Sequence, residues 1–314
     1  MLKNLNYKYY EPSRITIGCE PLGGVDWGNY EIEDVKKAIS SAIDMGVTSF
    51  DIADVYGLGQ GEKELAKALG RDRHKAFITT KFGVRWCNNS KDKRSRTYKD
   101  CSPKYLKEAL ENSLRRLRID AIPLYLVHWP DKKASILRVL EMLEIQKKEG
   151  KILNYGISNF AIDELDNITK NSKLSSIQDS FNLLDHDKQI PLFAKAKSLN
   201  LTTFSYGTLA QGLLTNKFNI YSKFPKNDRR SRLKIFREDR WKYNSEMLDK
   251  LIKISKKYGH SITSTSIRWV LDSGFVDSAI VGIKSKKQLK ENIQSLNWKL
   301  EKNDVNFLAN QKIL

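Results

Sequence analysis

Short apolar runs, each ending where polar residues begin, alternate with helical stretches along most of this 314-residue chain. Residues 31–44 set Ile32, Val35, Ala38, Ile39, Ala42 and Ile43 at helical spacing, Gly46 stops them, and the run VTSFDIA follows. Ser102 and Pro103 open a helix that reaches Leu117, with serine as N-cap and proline in the first turn, and PLYLVHW comes next. A helix over residues 136–148, closed by Gly150, leads to ILNYGIS; SSIQDS and LTTFSYG follow, with helices near Ile162 and Leu192 between them. Beyond a long basic loop come helices over 244–258 and 265–271, the run DSAIVG, and a last helix from about Lys287. Strands alternating with helices at this spacing predict a parallel sheet covered on both faces. The number of units favours a closed (β/α)8 barrel, an α/β fold, over an open sheet. Such barrels run to roughly 250 residues and beyond as one unit, so residues 1–314 are read as a single domain.

Composition narrows the class further. Forty per cent hydrophobic and 29% charged residues describe a globular protein, and no apolar run approaches the roughly 20 residues of a membrane helix. The start, MLKNLNYKYYEPS, has no apolar signal core. Cys19, Cys87 and Cys101 are widely spaced with no CxxC, which argues against a disulfide framework or a metal site and fits a reducing cytoplasm. The net charge of +18 is spread along the chain, densest between Lys217 and Lys242. No nucleic-acid-binding motif or basic helix interleaved with stacking aromatics accompanies it, so nucleic acid is not an expected partner. Gly57, Gly59 and Gly61 lack the GxGxxG spacing of a dinucleotide fold, and no tyrosine is followed by Lys at the fourth position, which sets aside both common Rossmann-type dehydrogenase patterns.

Three of the apolar runs end on chemically active residues. SFDIA carries Asp51 and leads to Tyr56, AFITT leads to Lys81, and LYLV leads to His128. Units of βα type deliver strand C-termini to one face, so an acid, a phenol, an amine and an imidazole at these exits converge. Taken singly, each is as readily structural as catalytic. Together they form a proton-transfer set: a tyrosine with an ordinary pKa near 10 can act as an acid if a neighbouring cation favours the phenolate. Lys81 is that cation, Asp51 orients it, and His128 is a hydrogen-bond donor beside them.

With these motifs, and with SLRRLRIDAIPLYLVHWPD, GKILNYGISNF, IQDSFNLLD, YGTLAQGLLTNKF and IVGIKSKKQLKEN, the chain resembles the aldo-keto reductase superfamily, closest to its bacterial general-stress-protein branch, from about residue 14 to about residue 292. The resemblance implies a (β/α)8 TIM barrel that reduces aldehydes and ketones with NADP(H), with Tyr56 as general acid. It implies that Ser158 and Asn159 hold the nicotinamide carboxamide with Gln178 beside them. The competing reading of Ser158 and Asn159 is a helix N-cap. The resemblance also implies that Tyr206 stacks on the nicotinamide ring, that Gly207 and Leu209 admit the pyrophosphate, and that Gln211 lines the same run. Lys284, Ser285, Gln288 and Asn292, at a helix N-terminus, would meet the adenosine phosphate, favouring NADPH over NADH. Lys284 stands where relatives often carry arginine, keeping the charge without the planar fork. Ile52 replaces a usual threonine and Gly61 a usual serine.

Trp27, Trp86 and Trp129 sit at strand exits and are expected to shape the substrate pocket, with the loop over residues 216–239 as its lid or edge. Asp26 and Tyr30 beside Trp27, with the basic surface, favour a sugar-directed, phosphorylated or nucleotide-linked substrate as the alternative reading. A non-catalytic NADPH-binding redox sensor is the alternative from another class. The physiological substrate, the favoured direction and the oligomeric state are open at this stage.

Overall fold

Seven of these apolar runs and a further strand near the start of the chain form eight parallel strands that close on themselves. The computed structural model describes residues 5–8, 11–88, 90 and 92–310. In chain order the strands are β1 (Ile15–Gly18), β2 (Ser49–Asp51), β3 (Phe77–Phe82), β4 (Val84–Trp86), β5 (Thr97–Lys99), β6 (Ile122–Val127), β7 (Ile152–Ser158), β8 (Ser176–Ser180), β9 (Thr202–Tyr206) and β10 (Ser278–Gly282). The barrel order is β1-β10-β9-β8-β7-β6-β3-β2, and β4 and β5 form a separate antiparallel hairpin. Side chains alternate along a strand, so each barrel strand serves two environments. Ile78 and Phe82 of β3, Phe50 of β2 and Tyr125 of β6 face outward into the main core beneath the helices. Phe77, Leu124, Leu126, Phe204 and Ile280 face inward and, with Leu5, fill the lower barrel. The chain near Leu5 is held there by Asn6 and Asn154, whose reciprocal hydrogen bonds are 2.9 and 2.7 Å.

The same alternation selects the upper inner ring. Asp51, Lys81, Ser158, Gln178, Tyr206 and Gly282 end, or nearly end, their strands in inward register, and His128 follows β6 immediately. The sequence pattern therefore delivers the candidate site as one rim of the barrel.

Helix boundaries depart from expectation where local chemistry competes with periodicity. The helix expected over residues 31–44 ends as Ile32–Ser40. Ser40 and Ser41 both turn their hydroxyls onto the Lys37 carbonyl at 3.0 Å, and a 3-10 turn, Ile43–Met45, takes the chain to Gly46. The helix expected to begin near 244 begins six residues earlier as Glu238–Tyr258, with Glu238 and Asp239 in its first turn, where acids complement the dipole. The next helix, Ile262–Asp272, also starts earlier than residue 265, on the Ser261 cap. Lys286–Gln294 follows β10, and Lys302–Ala309 is a helix that sequence periodicity did not mark. Between β3 and the helix Pro103–Leu117 the chain forms the β4–β5 hairpin, pairing Val84 with Lys99 and Trp86 with Thr97.

Candidate active site

A cavity of about 780 Å³ opens over the upper rim of the barrel. Beneath it Lys81, 1% exposed, donates to Asp51 Oδ1 at 2.6 Å and to the Ile52 carbonyl at 2.8 Å. The second carboxylate oxygen of Asp51 accepts from Gln178 Nε2 at 2.7 Å. Both oxygens are thus occupied, which fixes the ammonium in one position; a buried charge pair needs such additional hydrogen bonds. Gln178 lines the cavity, and its amide nitrogen is engaged in holding Asp51.

Tyr56 stands on the loop after β2, its N–H bonded to the Ala53 carbonyl at 3.2 Å. Gly57 follows with φ +61, and a Cβ there would lie 2.3 Å from the Gly23 carbonyl oxygen, so only glycine lets this loop close against the β1 exit. The Lys81 ammonium is 5.6 Å from the centre of the Tyr56 ring, and the His128 ring meets it edge-on at 6.1 Å between centroids. Burial, then the carboxylates of Glu20 and Asp51, push the Tyr56 phenol well above its ordinary range. Asp51 lies 2.6 Å from the ammonium and offsets its field, leaving Tyr56 protonated. Burial, followed by the charges of Lys81 and Lys99, holds the His128 imidazole well below its usual value, so it is neutral; its Nδ1 is buried without a partner.

Asn159 organises the next sector. It adopts φ +64, donates to the His128 carbonyl at 2.9 Å and to Ser158 Oγ at 3.0 Å, and accepts from the Tyr206 hydroxyl at 2.7 Å. The cap reading of Ser158 and Asn159 does not hold, since the helix begins at Ile162 and neither side chain bonds its first turn. Gly207 (φ +68), Leu209 and Gln211 continue the cavity wall, and Gln211 Oε1 is buried without a partner, as is Trp27 Nε1.

At the β10 end, Lys284, Gln288 and Asn292 line the cavity. The Lys284 ammonium donates to the Trp27 carbonyl at 2.7 Å and lies 4.9 Å from the centre of the Tyr30 ring. Burial and the nearby Arg230 lower its pKa. Ser285 is outside the cavity wall; its hydroxyl caps the helix Lys286–Gln294 by accepting from the Gln288 N–H at 3.3 Å. Trp27 and Trp129 line the cavity, whereas Trp86 does not. The hairpin carries Arg85 over the Tyr105 ring at 4.8 Å, and Trp86 joins these two in a different cleft on the outside of the barrel.

Several cavity residues escaped the sequence reading. Arg229 makes two 2.9 Å contacts with Glu20, and Arg94 and Arg232 both reach Asp26, at 2.9 and 3.1 Å. Arg230 is gripped by both oxygens of Asp228. The basic density of residues 228–232 was legible, and the loop over residues 216–239 does form a cavity edge, through Lys217, Phe218 and these arginines. Their partners across the cavity are distant in sequence and left no pattern. Among the described residues there is no group of three or more His, Cys, Asp or Glu able to hold a metal ion, and no helix is long and apolar enough to cross a membrane.

Fold and cavity together define a (β/α)8 barrel with its site at the C-terminal ends of the strands. Within that class the chain belongs to the aldo/keto reductase family, whose profile matches residues 14–310. The aldo-keto reductase YhdN of Bacillus subtilis (strain 168) is 33% identical over 309 residues, covering 96% of this chain and 92% of its own. The NADH-specific methylglyoxal reductase of Escherichia coli (strain K12) is 27% identical over 308 residues, covering 94% and 93%. The structure of a glycerol dehydrogenase, AKR11B4, from Gluconobacter oxydans matches with a TM-score of 0.87 at 30% identity, covering 97% of this chain and 93% of its own. The protein is accordingly an oxidoreductase of the carbonyl–alcohol class that works with a nicotinamide cofactor on small molecules.

Proposed function

We propose that the protein interconverts an aldehyde or ketone and its alcohol with NADPH in preference to NADH, with Tyr56 as general acid and, in the reverse direction, general base, within a single barrel domain. The observation that carries this reading is Tyr56 on the cavity wall with the His128 ring edge-on at 6.1 Å and the Lys81 ammonium, paired with Asp51, 5.6 Å from its ring centre. A reduced nicotinamide, when bound on this wall, would supply the hydride. Tyr56 gives its proton to the carbonyl oxygen as negative charge develops there. His128, being neutral, donates a hydrogen bond to that oxygen without competing as an acid, and the buried Lys81 ammonium stabilises the phenolate left behind.

The remaining wall fits a nicotinamide dinucleotide. Tyr206, pinned by Asn159, offers a ring face for stacking; Gly207 allows close backbone approach; the orphaned Gln211 Oε1 and Trp27 Nε1 are polar groups awaiting a partner. Ser158, Asn159, Gln178, Leu209, Gln288 and Asn292 complete the contacts, with Trp27 and Trp129 toward the substrate. The NADPH preference rests on Arg230 and Lys284, two cations close enough to influence one another at the same end of the cavity. Arg230, whose Nε and Nη2 are taken by Asp228, adds a second positive charge beside Lys284. Arg230→Gln is expected to weaken NADPH binding roughly tenfold, about 1.4 kcal/mol, with NADH binding little changed, as measured by fluorescence titration. Equal weakening for both cofactors would refute this assignment.

A polyol or sugar carbonyl is the favoured substrate class, because Glu20, Asp26, Arg94 and Arg229 make the cavity mouth polar and rich in hydrogen-bonding groups. The name of the Gluconobacter relative, a glycerol dehydrogenase, points the same way. Nicotinamide oxidation across glyceraldehyde, dihydroxyacetone, aldoses and apolar aldehydes tests the reading, with the hydroxylated carbonyls expected to give the higher kcat/KM. Tight NADPH binding with no turnover on any of them would favour a redox sensor.

A further inference from the structure

On the outside of the barrel lies a second cleft, of about 570 Å³, a size typical of small-molecule sites. Six cations line it: Lys63, Lys67, Arg85, Arg115, Arg116 and Arg118. Three are neutralised, Lys67 by Glu64 at 2.7 Å, Arg116 by Glu62 at 2.6 Å, and Arg85 by Asp100 at 3.0 Å with Glu108 at 3.8 Å. Among the described residues no carboxylate forms an ion pair with Lys63, Arg115 or Arg118, and Arg115 bonds only the Asn112 side chain at 3.0 Å. The cleft therefore concentrates uncompensated positive charge in a concave wall, where fields are focused.

Its floor carries a second, independent feature. Asp54 is 1% exposed; its Oδ1 has no partner and its Oδ2 lies 3.5 Å from the Tyr105 hydroxyl. Burial, followed by the neighbouring Glu62, pushes this carboxyl well above the usual range, which weakens its opposition to an anion. The reaction proposed above uses neither Asp54 nor any of the six cations.

We infer that this cleft binds a small polyanion whose charge sits on phosphate or carboxylate groups, with Lys63, Arg115 and Arg118 pairing the charge. Guanidinium forks suit both oxyanions. Leu58 lines this cleft and the catalytic cavity alike, so the two sites share one wall.

Isothermal titration of the full chain with inorganic pyrophosphate and, in parallel, with tricarballylate tests the inference. An Arg115→Gln/Arg118→Gln double variant and a separate Lys63→Gln variant, all at exposed positions, report on the cleft; Arg230→Gln reports on the catalytic cavity. The expected result is binding of at least one anion that weakens roughly tenfold or more in the double variant and persists in Arg230→Gln, the tighter anion naming the group. Dissociation constants weaker than about 1 mM for both anions, or binding lost in Arg230→Gln and retained in the cleft variants, would overturn it.

Discussion

Asp51 is the residue on which the site turns, because its two oxygens hold Lys81 from one strand and Gln178 from another. That arrangement explains why Tyr56 stays protonated beside an ammonium, and it leaves His128 as the group whose titration matters near neutrality. The His128 pKa is depressed by burial, so below about pH 6.5 the unfolded chain binds the proton more readily than the folded one. His128 thus contributes stability that is present above that pH and is lost as pH falls, at up to about 1.4 kcal/mol per pH unit. Urea unfolding between pH 7 and pH 5 is expected to show a shallower loss of stability in His128→Gln than in the parent; identical slopes would contradict the buried neutral imidazole. The convergence of Asp51, Lys81 and His128 was legible because they lie at or just past strand ends, where the period of two fixes the face they take, and Tyr56 follows on the loop after β2. The seat of the Lys284 ammonium on the Trp27 carbonyl was not legible, nor was the Glu20–Arg229 pair, since both join loops that only the closed barrel brings together.

At the scale of elements, periodicity located strands better than helix ends. Every barrel strand after β1 corresponds to an apolar run, whereas the first turn of Glu238–Tyr258 consists of charged and polar residues with no apolar stripe, and the helix was read as starting later. Ser41 and Ser40 stopped a helix whose apolar spacing continued, a competition that residue types signal only weakly. Where a cap is explicit the sequence sufficed. Ser102 starts Pro103–Leu117 and accepts from the Tyr105 N–H, as its position before proline indicated. Ser102→Ala is expected to cost about 1 kcal/mol of stability, read as a lowered midpoint in chemical denaturation; an unchanged midpoint would mean the cap is replaced by solvent.

For the whole molecule, closure of eight strands is what turns separate motifs into one cavity. An open sheet would leave β1 and β10 as edges, yet they pair in register from Ile15 with Ala279 to Gly18 with Gly282, and this join brings the Lys284 segment beside Trp27. The same closure separates the catalytic rim from the basic outer cleft, two sites that one net charge could not distinguish in the sequence. In the reaction proposed, the rim of the barrel delivers a proton from Tyr56. Its most direct test is a comparison of the parent and Tyr56→Phe for both cofactor binding and single-turnover oxidation of bound NADPH by a reactive carbonyl. NADPH affinity should be retained while the turnover rate falls roughly 10²-fold or more; a Tyr56→Phe variant that turns over at the parental rate would contradict the assignment.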